Sequence, residues 1–324
     1  IATVYDELDV IGVNYNLNKY EYIHEKYPDK GIFSSECCAT GTTRGWYNAD
    51  CPEKAYMSAY DKDTNHWFLG RENTWKFIAE REWILGSYQW IAFEHRGETL
   101  WPRLCSQSGA IDMFLQKKDA FYQNQTHWID DKPLVHLLPH WNFEGMEGEH
   151  ISVWAYTNCE ELELFLNGKS LGRKKIERYG HGEWDVEYYP GTIRVDGING
   201  GKVVCSDTRE TTGKAVKLNL KQENTVENAN GTDIAVISCY CTDSEGREVP
   251  TASAYVSFST NGLGRIAGTG SDIADHNPPH LTSRRMRAGR ITVAVQVGTA
   301  AGELKVYAEA DGLKNGVVTI SLKN

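Results

Sequence analysis

Three apolar runs among the first hundred residues each end in a side chain that could take part in chemistry. Tyr15 ends the first run, Glu36 ends the second, and Trp90 and Glu94 lie at the end of the third. Helical patterns separate the runs, which is typical of βα units around a parallel sheet. Because the C-terminal ends of parallel strands meet on one face of such a sheet, the sequence predicts that these side chains lie close together.

A carboxylate, a phenol and an indole together suit the binding of a sugar. The Tyr15 phenol could donate a hydrogen bond that keeps a carboxylate ionised, and the Trp90 indole offers a platform for the apolar face of a sugar ring. On the pattern alone, a solvated or salt-bridged Glu36 is the simpler interpretation. Glu94 also has two interpretations, because it could bind a sugar hydroxyl or pair with Arg96.

Residues 1–130 are predicted to form the βα units that position these side chains. A helix is predicted over residues 74–85, because Trp75, Ile78 and Trp83 fall on one helical face and Gly86 suits the position after a helix end. A helix over residues 117–127 would close the region. The strands are expected at residues 9–15, 31–36 and 87–94.

From about residue 131 the hydrophobic period changes to two, which predicts short strands packed as β-sandwiches. Asn167-Gly168 and Asn199-Gly200-Gly201 are hairpin signals, because tight turns need residues that accept a positive φ. Residues 206–213 are predicted to link two all-β units. The predicted strands are 134–138, 151–156, 162–166, 184–189, 192–198 and 202–206, then 217–222, 234–242, 255–259, 290–297, 303–310 and 317–322.

The composition of the 324-residue chain excludes several classes of partner. The 34 Lys and Arg residues against 44 Asp and Glu residues leave a net charge of −10, which repels nucleic acid and anionic membrane surfaces. No apolar run approaches the roughly 20 residues that span a bilayer. Neither a nucleic acid nor a membrane is therefore expected as a partner.

No cofactor or metal ion is expected. Gly262 and Gly264 superficially match a dinucleotide-binding motif, but β-type sequence precedes them and no helix pattern follows. His136 and His140 are four residues apart, yet Pro139 denies them the shared helical face that a metal site would use. The arginines within residues 284–290 are predicted to form a solvated surface.

The eight cysteines include no CxxC pair and show no spacing typical of zinc ligands. They are predicted to be reduced and to act mainly as small buried apolar residues. Cys239 and Cys241 share a strand face, where such neighbours rarely form a disulfide. The compartment stays open, because a signal peptide would lie before Ile1.

Several stretches together resemble one enzyme family. DVIGVNY (residues 9–15), SSE (34–36), RGWY (44–47) and QWIAFEHRGE (89–98) resemble the last three βα units of the catalytic barrel in glycoside hydrolase family 2, which includes β-galactosidases and β-glucuronidases. LLPHWN (137–142) and ELFLNGKSLG (163–172) resemble the immunoglobulin-like domain that follows the barrel in many bacterial members. The resemblance implies the C-terminal part of a (β/α)8 TIM barrel over residues 1–130, followed by two immunoglobulin-like β-sandwiches over residues 131–211 and 212–324.

The resemblance also implies a retaining β-glycosidase that works through a covalent glycosyl-enzyme. Glu36 matches the nucleophile, Tyr15 the tyrosine beside it, and Trp90 the indole at the end of the last barrel strand. The predicted sugar-binding residues are Tyr15, Asn14, Trp90, Glu94 and Trp101, and packing in the core or at the rim is an equal alternative for Trp101.

One departure from the family concerns the second carboxyl group that retention requires. In the family this acid/base comes from an Asn-Glu pair after the fourth barrel strand, and residues 1–130 contain no such pair at a strand end. The chain is therefore expected to be inactive alone. Its expected partners are a carbohydrate substrate and the N-terminal part of the same enzyme, while a homo-oligomer stays open.

A second departure concerns the sugar. Many galactosidase-like members carry Asp-Tyr where this chain has Glu94-His95, and the Asn-x-Lys element of the family's glucuronidases is not apparent in residues 96–117. A neutral sugar, with galactose first, is therefore expected, and a β-glucuronidase specificity stays an alternative. A non-catalytic carbohydrate-binding or spacer module is the alternative from another class.

Overall fold

A computed structural model describes residues 3–63 and 68–324. The chain forms two compact units. The first comprises Ile1–Thr99, Cys105–Met113 and Lys117–Arg209, and the second comprises Leu100–Leu104, Phe114–Gln116 and Glu210–Asn324. The predicted three-domain division, with boundaries at residues 130 and 211, stays a prediction.

The first unit begins with a three-stranded parallel sheet in the order β1-β2-β3. Helix α1 (Tyr20–Lys26) connects β1 to β2, helix α2 (Arg71–Ala79) lies between β2 and β3, and helix α3 (Asp119–Trp128) follows. Short 3-10 turns cover Thr3–Asp6 and Leu17–Lys19. The strands are β1 (Val10–Asn14), β2 (Gly31–Cys37) and β3 (Ile84–Gln89).

Apolar side chains from the strands and helices of this part pack into one core. Ile11 of β1, Ile32 of β2 and Ile84 of β3 lie in it together with Ile23 of α1 and Ile78 of α2. This burial holds the three strands in parallel register, so the ends of β1 and β2 lie side by side. Three parallel strands agree with the βα pattern, while the (β/α)8 barrel stays a prediction.

The structure corrects the predicted helix over residues 74–85 and the strand that follows it. Helix α2 ends at Ala79, and Gly86 lies inside β3 rather than after a helix. Ile84 pairs with Ile32 of β2 and is buried, so hydrogen bonding to the sheet starts there. A helical pattern and a short buried strand cannot be separated by periodicity alone.

The rest of the first unit consists of two antiparallel sheets that enclose a second core. One has the order β4-β5-β8 and the other β10-β9-β6-β7. Val153 and Trp184 from the first sheet pack with Leu164 and Val195 from the second. The strands are β4 (Val135–Leu138), β5 (His150–Thr157), β6 (Glu161–Leu166), β7 (Lys169–Lys175), β8 (His181–Glu187), β9 (Thr192–Asn199) and β10 (Lys202–Glu210).

The turn signals in this part are confirmed, and one strand was missed. Asn167 and Gly168 have φ values of 50° and 79° and join β6 to β7, while Gly200 and Gly201 join β9 to β10. Strand β7 was not predicted because all its residues are exposed, which removes the alternation that marks a half-buried strand. Strand β10 also runs into the segment that was predicted as a linker.

The second unit contains two four-stranded sheets, in the orders β11-β12-β16-β14 and β15-β13-β17-β18. Leu218, Ile237 and Val293 of one sheet pack with Phe258 and Val306 of the other. The strands are β11 (Lys217–Gln222), β12 (Ile234–Thr242), β13 (Tyr255–Thr260), β14 (Gly264–Gly270), β15 (Ser283–Arg285), β16 (Arg290–Val297), β17 (Gly302–Glu309) and β18 (Gly316–Leu322).

Strands β14 and β15 were not predicted, and Arg284 of β15 corrects the expected solvated arginine surface. The Arg284 side chain is buried, and its Nη1 atom lies 2.6 Å from Oδ2 of Asp275. A buried charge needs such a partner. Gly264 begins β14, and a Cβ there would come within 2.7 Å of the Gln296 carbonyl oxygen.

Candidate active site

Glu36 lies near the C-terminal end of β2, next to the end of β1. The register between the two strands shifts after Val13, so that Asn14 pairs with Glu36. The Tyr15 backbone N–H donates a hydrogen bond of 2.7 Å to the Glu36 carbonyl oxygen. Asn14 accepts a hydrogen bond of 2.5 Å from Oγ of Ser35 through its Oδ1 atom. The two strand ends are thus joined at the predicted nucleophile.

The Tyr15 phenol faces the Glu36 side chain. Tyr15 has a φ of 52°, and this left-handed backbone turns the chain after β1. Burial raises the pKa of Tyr15, and the charge of Glu36 and a side-chain hydrogen bond with that carboxylate raise it further. The phenol therefore stays protonated and remains a hydrogen-bond donor to Glu36. Its ring also packs against Phe68, with ring centroids 5.4 Å apart.

Trp90 follows β3 and is half-buried. Its backbone N–H donates a hydrogen bond of 2.9 Å to the Cys37 carbonyl oxygen, which ties it to the end of β2. The indole Nε1–H donates to Oε2 of Glu98 over 3.2 Å, and the His95 ring meets the indole edge-on. The indole thus has a defined orientation beside the strand ends.

Glu98 is a candidate site residue that the sequence reasoning missed. Its carboxylate accepts the hydrogen bond from the Trp90 indole, and its negative charge is one of the causes that raise the pKa of Tyr15. The signal in the sequence was weak, since Glu98 stands in a polar loop eight residues after Trp90. Only the fold of that loop brings it back toward the strand ends.

The structure does not bring Glu94 to this surface. Its side chain is buried, and Oε1 lies 2.8 Å from Nζ of Lys118, while Oε2 accepts a hydrogen bond of 3.1 Å from the Met113 N–H. Lys118 also donates to the carbonyl oxygens of Thr42 and Gln107, at 2.7 and 2.8 Å. This environment contradicts the predicted sugar contact and the alternative pairing with Arg96, because the carboxylate is fully engaged inside the protein.

Trp101 belongs to the second unit. Its side chain is 81% exposed, and its ring lies against that of His276, with centroids 4.3 Å apart. An exposed indole of this kind is available to a ligand. The predicted role of Trp101 in sugar binding stays a prediction.

The Cys37 thiol lies directly behind Glu36, on the buried side of β2. Its Sγ atom is 3.1 Å from Sγ of Cys38 and 2.9 Å from Oγ of Ser87. The hydrogen bond with Cys38 is the main reason why the pKa of Cys37 falls to about 7, against the effect of burial. The thiol is buried, so its lowered pKa reflects the hydrogen bonds inside the protein and gives Cys37 no contact with a substrate.

Within residues 3–63 and 68–324, no three His, Cys, Asp or Glu side chains are grouped so that they could hold a metal ion. In the same part of the chain, none of the helices has the length and apolar character that crossing a bilayer requires. All eight cysteines are unpaired thiols.

Two family models match the chain. Residues 148–205 match a domain of unknown function, DUF4982, and residues 218–319 match the model described as glycoside hydrolase family 2 C-terminal domain 5. Both matches fall in the part of the chain that consists of antiparallel sheets.

Curated proteins with a similar sequence are named as glycosidases. The chain is 31% identical to a β-galactosidase, BoGH2A, of Bacteroides ovatus, over 97% of this chain and 39% of the relative. It is 26% identical to a β-glucuronidase of Formosa agariphila, over 91% of this chain and 31% of the relative. The chain thus spans well under half the length of these curated relatives.

Solved structures of glycosidases also superpose on this chain. A β-glycosidase from Bacteroides vulgatus superposes with a TM-score of 0.84 at 28% identity, over 97% of this chain and 45% of that structure. A β-glucuronidase from glycoside hydrolase family 2 superposes with a TM-score of 0.79 at 25% identity, over 92% of this chain and 32% of that structure. The match covers both units of the chain.

Proposed function

Because the chain belongs to glycoside hydrolase family 2 and corresponds to the C-terminal portion of its members, we propose that it carries the nucleophile of a retaining β-glycosidase. Residues 1–130 would be the last part of a (β/α)8 barrel, and the two pairs of antiparallel sheets would be immunoglobulin-like sandwiches. Glu36 would attack the anomeric carbon, and the leaving group would depart from the opposite face of the sugar.

The observation that carries this proposal is the contact between Tyr15 and Glu36. A nucleophilic carboxylate must be ionised and held in one orientation. The protonated phenol of Tyr15 donates to it, and the backbone hydrogen bond between the two residues fixes the distance between their strands. A solvated glutamate at a strand end needs neither feature.

Trp90 supports a sugar as the substrate. The indole lies at the end of β3 and is held by Glu98, and an aromatic face of this kind packs against the apolar face of a pyranose. The expected substrate is a terminal β-linked neutral sugar, with galactose first. A relative that matches 97% of this chain is named a β-galactosidase, which favours the same choice, while the relatives named β-glucuronidase make a β-glucuronide the alternative.

We further propose that the acid/base carboxyl comes from another part of the enzyme and that this chain alone is inactive. A retaining enzyme needs a second carboxyl about 5–5.5 Å from the nucleophile to protonate the leaving group and then activate water. Glu94 cannot serve, since its carboxylate is buried against Lys118. The whole enzyme's substrate and partners are part of this proposal.

The test is hydrolysis of chromogenic aryl β-galactoside and aryl β-glucuronide by the chain alone and mixed with the N-terminal part of the enzyme. Glu36→Gln is the test variant, and Glu25→Gln, an exposed glutamate of α1, is the matched control. We expect activity only on mixing, lost by at least about a thousandfold in Glu36→Gln and kept in Glu25→Gln.

Each other result contradicts a named part of the proposal. Activity of the chain alone would show that the acid/base lies within these residues. Full activity of Glu36→Gln on mixing would remove its role as the nucleophile. A preference for the glucuronide would replace the galactoside, and no activity in a mixture that binds aryl glycosides would favour the non-catalytic module.

A further inference from the structure

A polar cleft lies in the second unit, over one face of strands β11 and β12. Its volume is 790 Å³, within the range of about 300–1,000 Å³ that small-molecule sites occupy. Lys217 and Asn219 of β11 lie opposite Thr242 and Tyr240 of β12, so these four side chains share one face of the sheet. The loop after β12 and Lys314 complete its walls.

Two lysines in this cleft are held next to each other. Lys217 and Lys314 form a parallel bridge, in which the Lys314 N–H donates to the Val216 carbonyl oxygen over 2.8 Å and the Leu218 N–H donates to the Lys314 carbonyl oxygen over 2.9 Å. Residues paired in this way place their side chains on the same side of a sheet. Both side chains are exposed and line the cleft.

Neither ammonium group has a carboxylate partner within the described part of the chain. The two acidic residues of the cleft are already engaged. Asp243 pairs with Arg247 at 2.8 Å, and Glu248 binds both Nε and Nη2 of Arg290, at 2.8 and 2.7 Å. Because Arg247 and Arg290 pair with the two carboxylates, Lys217 and Lys314 are left as neighbouring positive charges, which destabilise a sheet and which an anion would neutralise.

The rest of the cleft suits a saccharide. The Tyr240 ring lines it, and the Arg290 guanidinium covers the ring at 5.3 Å and holds it in place. Asn219 donates one hydrogen bond of 2.9 Å to Thr242, which leaves its amide oxygen as an acceptor for a hydroxyl group. An aromatic ring with hydroxyl-binding groups beside it is a common sugar platform.

We propose that this cleft is a second, non-catalytic binding site for an acidic saccharide, whose carboxylate or sulfate group binds between Lys217 and Lys314 and whose ring packs on Tyr240. The cleft residues belong to the second unit and Glu36 to the first, and the proposal does not depend on the proposed hydrolysis. It would hold the enzyme on a charged polysaccharide while the reaction takes place elsewhere.

The test is calorimetric titration of the 324-residue chain with three tetrasaccharides: a tetragalacturonate, a sulfated galactan and a neutral β-galactan. Sodium sulfate alone is a fourth probe. We expect the two acidic tetrasaccharides to bind, the neutral one to bind at least tenfold more weakly, and binding to weaken as NaCl rises from 0.05 to 0.5 M because salt screens exposed charges. The two acidic probes tell a carboxylate from a sulfate preference.

Variants locate the binding in the cleft. Lys217→Ala/Lys314→Ala should weaken binding of the acidic tetrasaccharides at least tenfold, because two charge-assisted hydrogen bonds are lost. Lys221→Ala/Lys323→Ala removes the same charge from two exposed lysines of this unit that do not line the cleft, and should leave binding within about twofold. Tyr240→Phe should keep most of the affinity, and Tyr240→Ala should lose it.

Thermal unfolding separates a binding role from a structural one. Without ligand, Lys314→Ala should leave the Tm unchanged or raise it, since the variant relieves the repulsion between two ammonium groups. A fall in Tm of several degrees would show that Lys314 serves the fold and would overturn the proposal. So would equal binding of the neutral tetrasaccharide, sulfate binding as tight as that of the acidic tetrasaccharides, or no binding at 10 mM.

Discussion

In the interior of the first unit, Nζ of Lys118 lies 2.8 Å from Oε1 of Glu94, and both side chains are buried. Burial lowers the pKa of Lys118, and the charge of Glu94 opposes that shift. The ammonium group also donates to the carbonyl oxygens of Thr42 and Gln107, so one lysine joins three separate segments. This interior pair therefore ties the segment after β3 to the segment after β2, the strand that carries Glu36.

Breaking the Lys118–Glu94 pair should destabilise the first unit strongly. Glu94→Gln leaves the buried Lys118 ammonium group without its carboxylate partner. Lys118→Met leaves the buried Glu94 carboxylate and two carbonyl oxygens without their donor. Each change should cost about 3–5 kcal/mol of unfolding free energy. Urea denaturation followed by tryptophan fluorescence measures this. Lys175→Met, an exposed lysine of β7, is the control and should change stability by less than about 0.5 kcal/mol.

A normal stability of Glu94→Gln together with a higher KM for substrate would contradict the structural role of Glu94. That result would support the predicted contact between Glu94 and the sugar.

Tyr15→Phe should slow the hydrolysis that we propose for the complete enzyme. Removing the phenol hydroxyl deletes a hydrogen bond to the Glu36 carboxylate, and a bond to a charged group is worth about 1.5–3 kcal/mol. We expect kcat/KM to fall roughly 10- to 150-fold while the Tm changes little. Tyr22→Phe, an exposed tyrosine of α1, should keep full activity. Unchanged activity of Tyr15→Phe would show that the phenol does not act on the nucleophile.

The second unit should lose stability in acid through Asp243. Burial opposes the ionisation of its carboxylate, but hydrogen bonds from the Gly213, Glu245 and Arg247 N–H groups and from the Arg247 guanidinium lower the pKa of Asp243 to about 2. The unfolded value is about 3.9. This carboxylate therefore stabilises the fold fully above about pH 4, and the contribution disappears as the pH falls through about 2.

Comparison of Asp243→Asn with the unmodified chain between pH 6 and pH 2 tests this contribution. We expect the variant to have a Tm at least roughly 4 °C lower at pH 6, with the difference shrinking toward zero near pH 2. Asp311→Asn, an exposed aspartate, is the matched control and should follow the unmodified chain. A constant Tm difference across this pH range would show that Asp243 acts through packing and not through its charge.

Mild oxidation should join Cys159 and Cys205. Their Sγ atoms are 3.6 Å apart, and the hydrogen bond with Cys205 is the main cause that lowers the pKa of Cys159 to about 6. Because Cys159 is buried, a small oxidant suits the test. At pH 7.5 hydrogen peroxide would convert the Cys159 thiolate to a sulfenic acid, and the Cys205 thiol would then attack that sulfur and displace water. The products are one intramolecular disulfide and two molecules of water for each peroxide consumed.

Mass spectrometry of unreduced peptides detects this bond, and Cys159→Ser should abolish it. The bond would close a loop of 46 residues, which stabilises a fold by roughly 4 kcal/mol in chain-entropy terms, so the Tm should rise. Cys239 and Cys241, whose pKa values burial raises, should stay reduced under the same conditions. A Cys159 that remains a free thiol under these conditions would contradict the prediction.

Much of the local structure could be predicted because it is encoded in short patterns. Alternation of apolar and polar residues located most of the antiparallel strands, and Asn167-Gly168 predicted a hairpin because few residue pairs accept two positive φ angles in succession. The ends of β1 and β2 also followed from their apolar runs. The sequence by itself therefore determined that Tyr15 and Glu36 would meet at neighbouring strand ends.

The tertiary structure decided the features that depend on partners distant in the chain. Glu94 ends a strand-like run in the sequence. Its carboxylate nevertheless lies in the interior, where it pairs with Lys118, 24 residues later. Strand β7 is exposed throughout and forms because β6 pairs with it. Lys217 and Lys314 become neighbours only through the bridge between their segments. Periodicity determines which face of a strand is buried, but the identity of a long-range partner depends on how the whole chain packs.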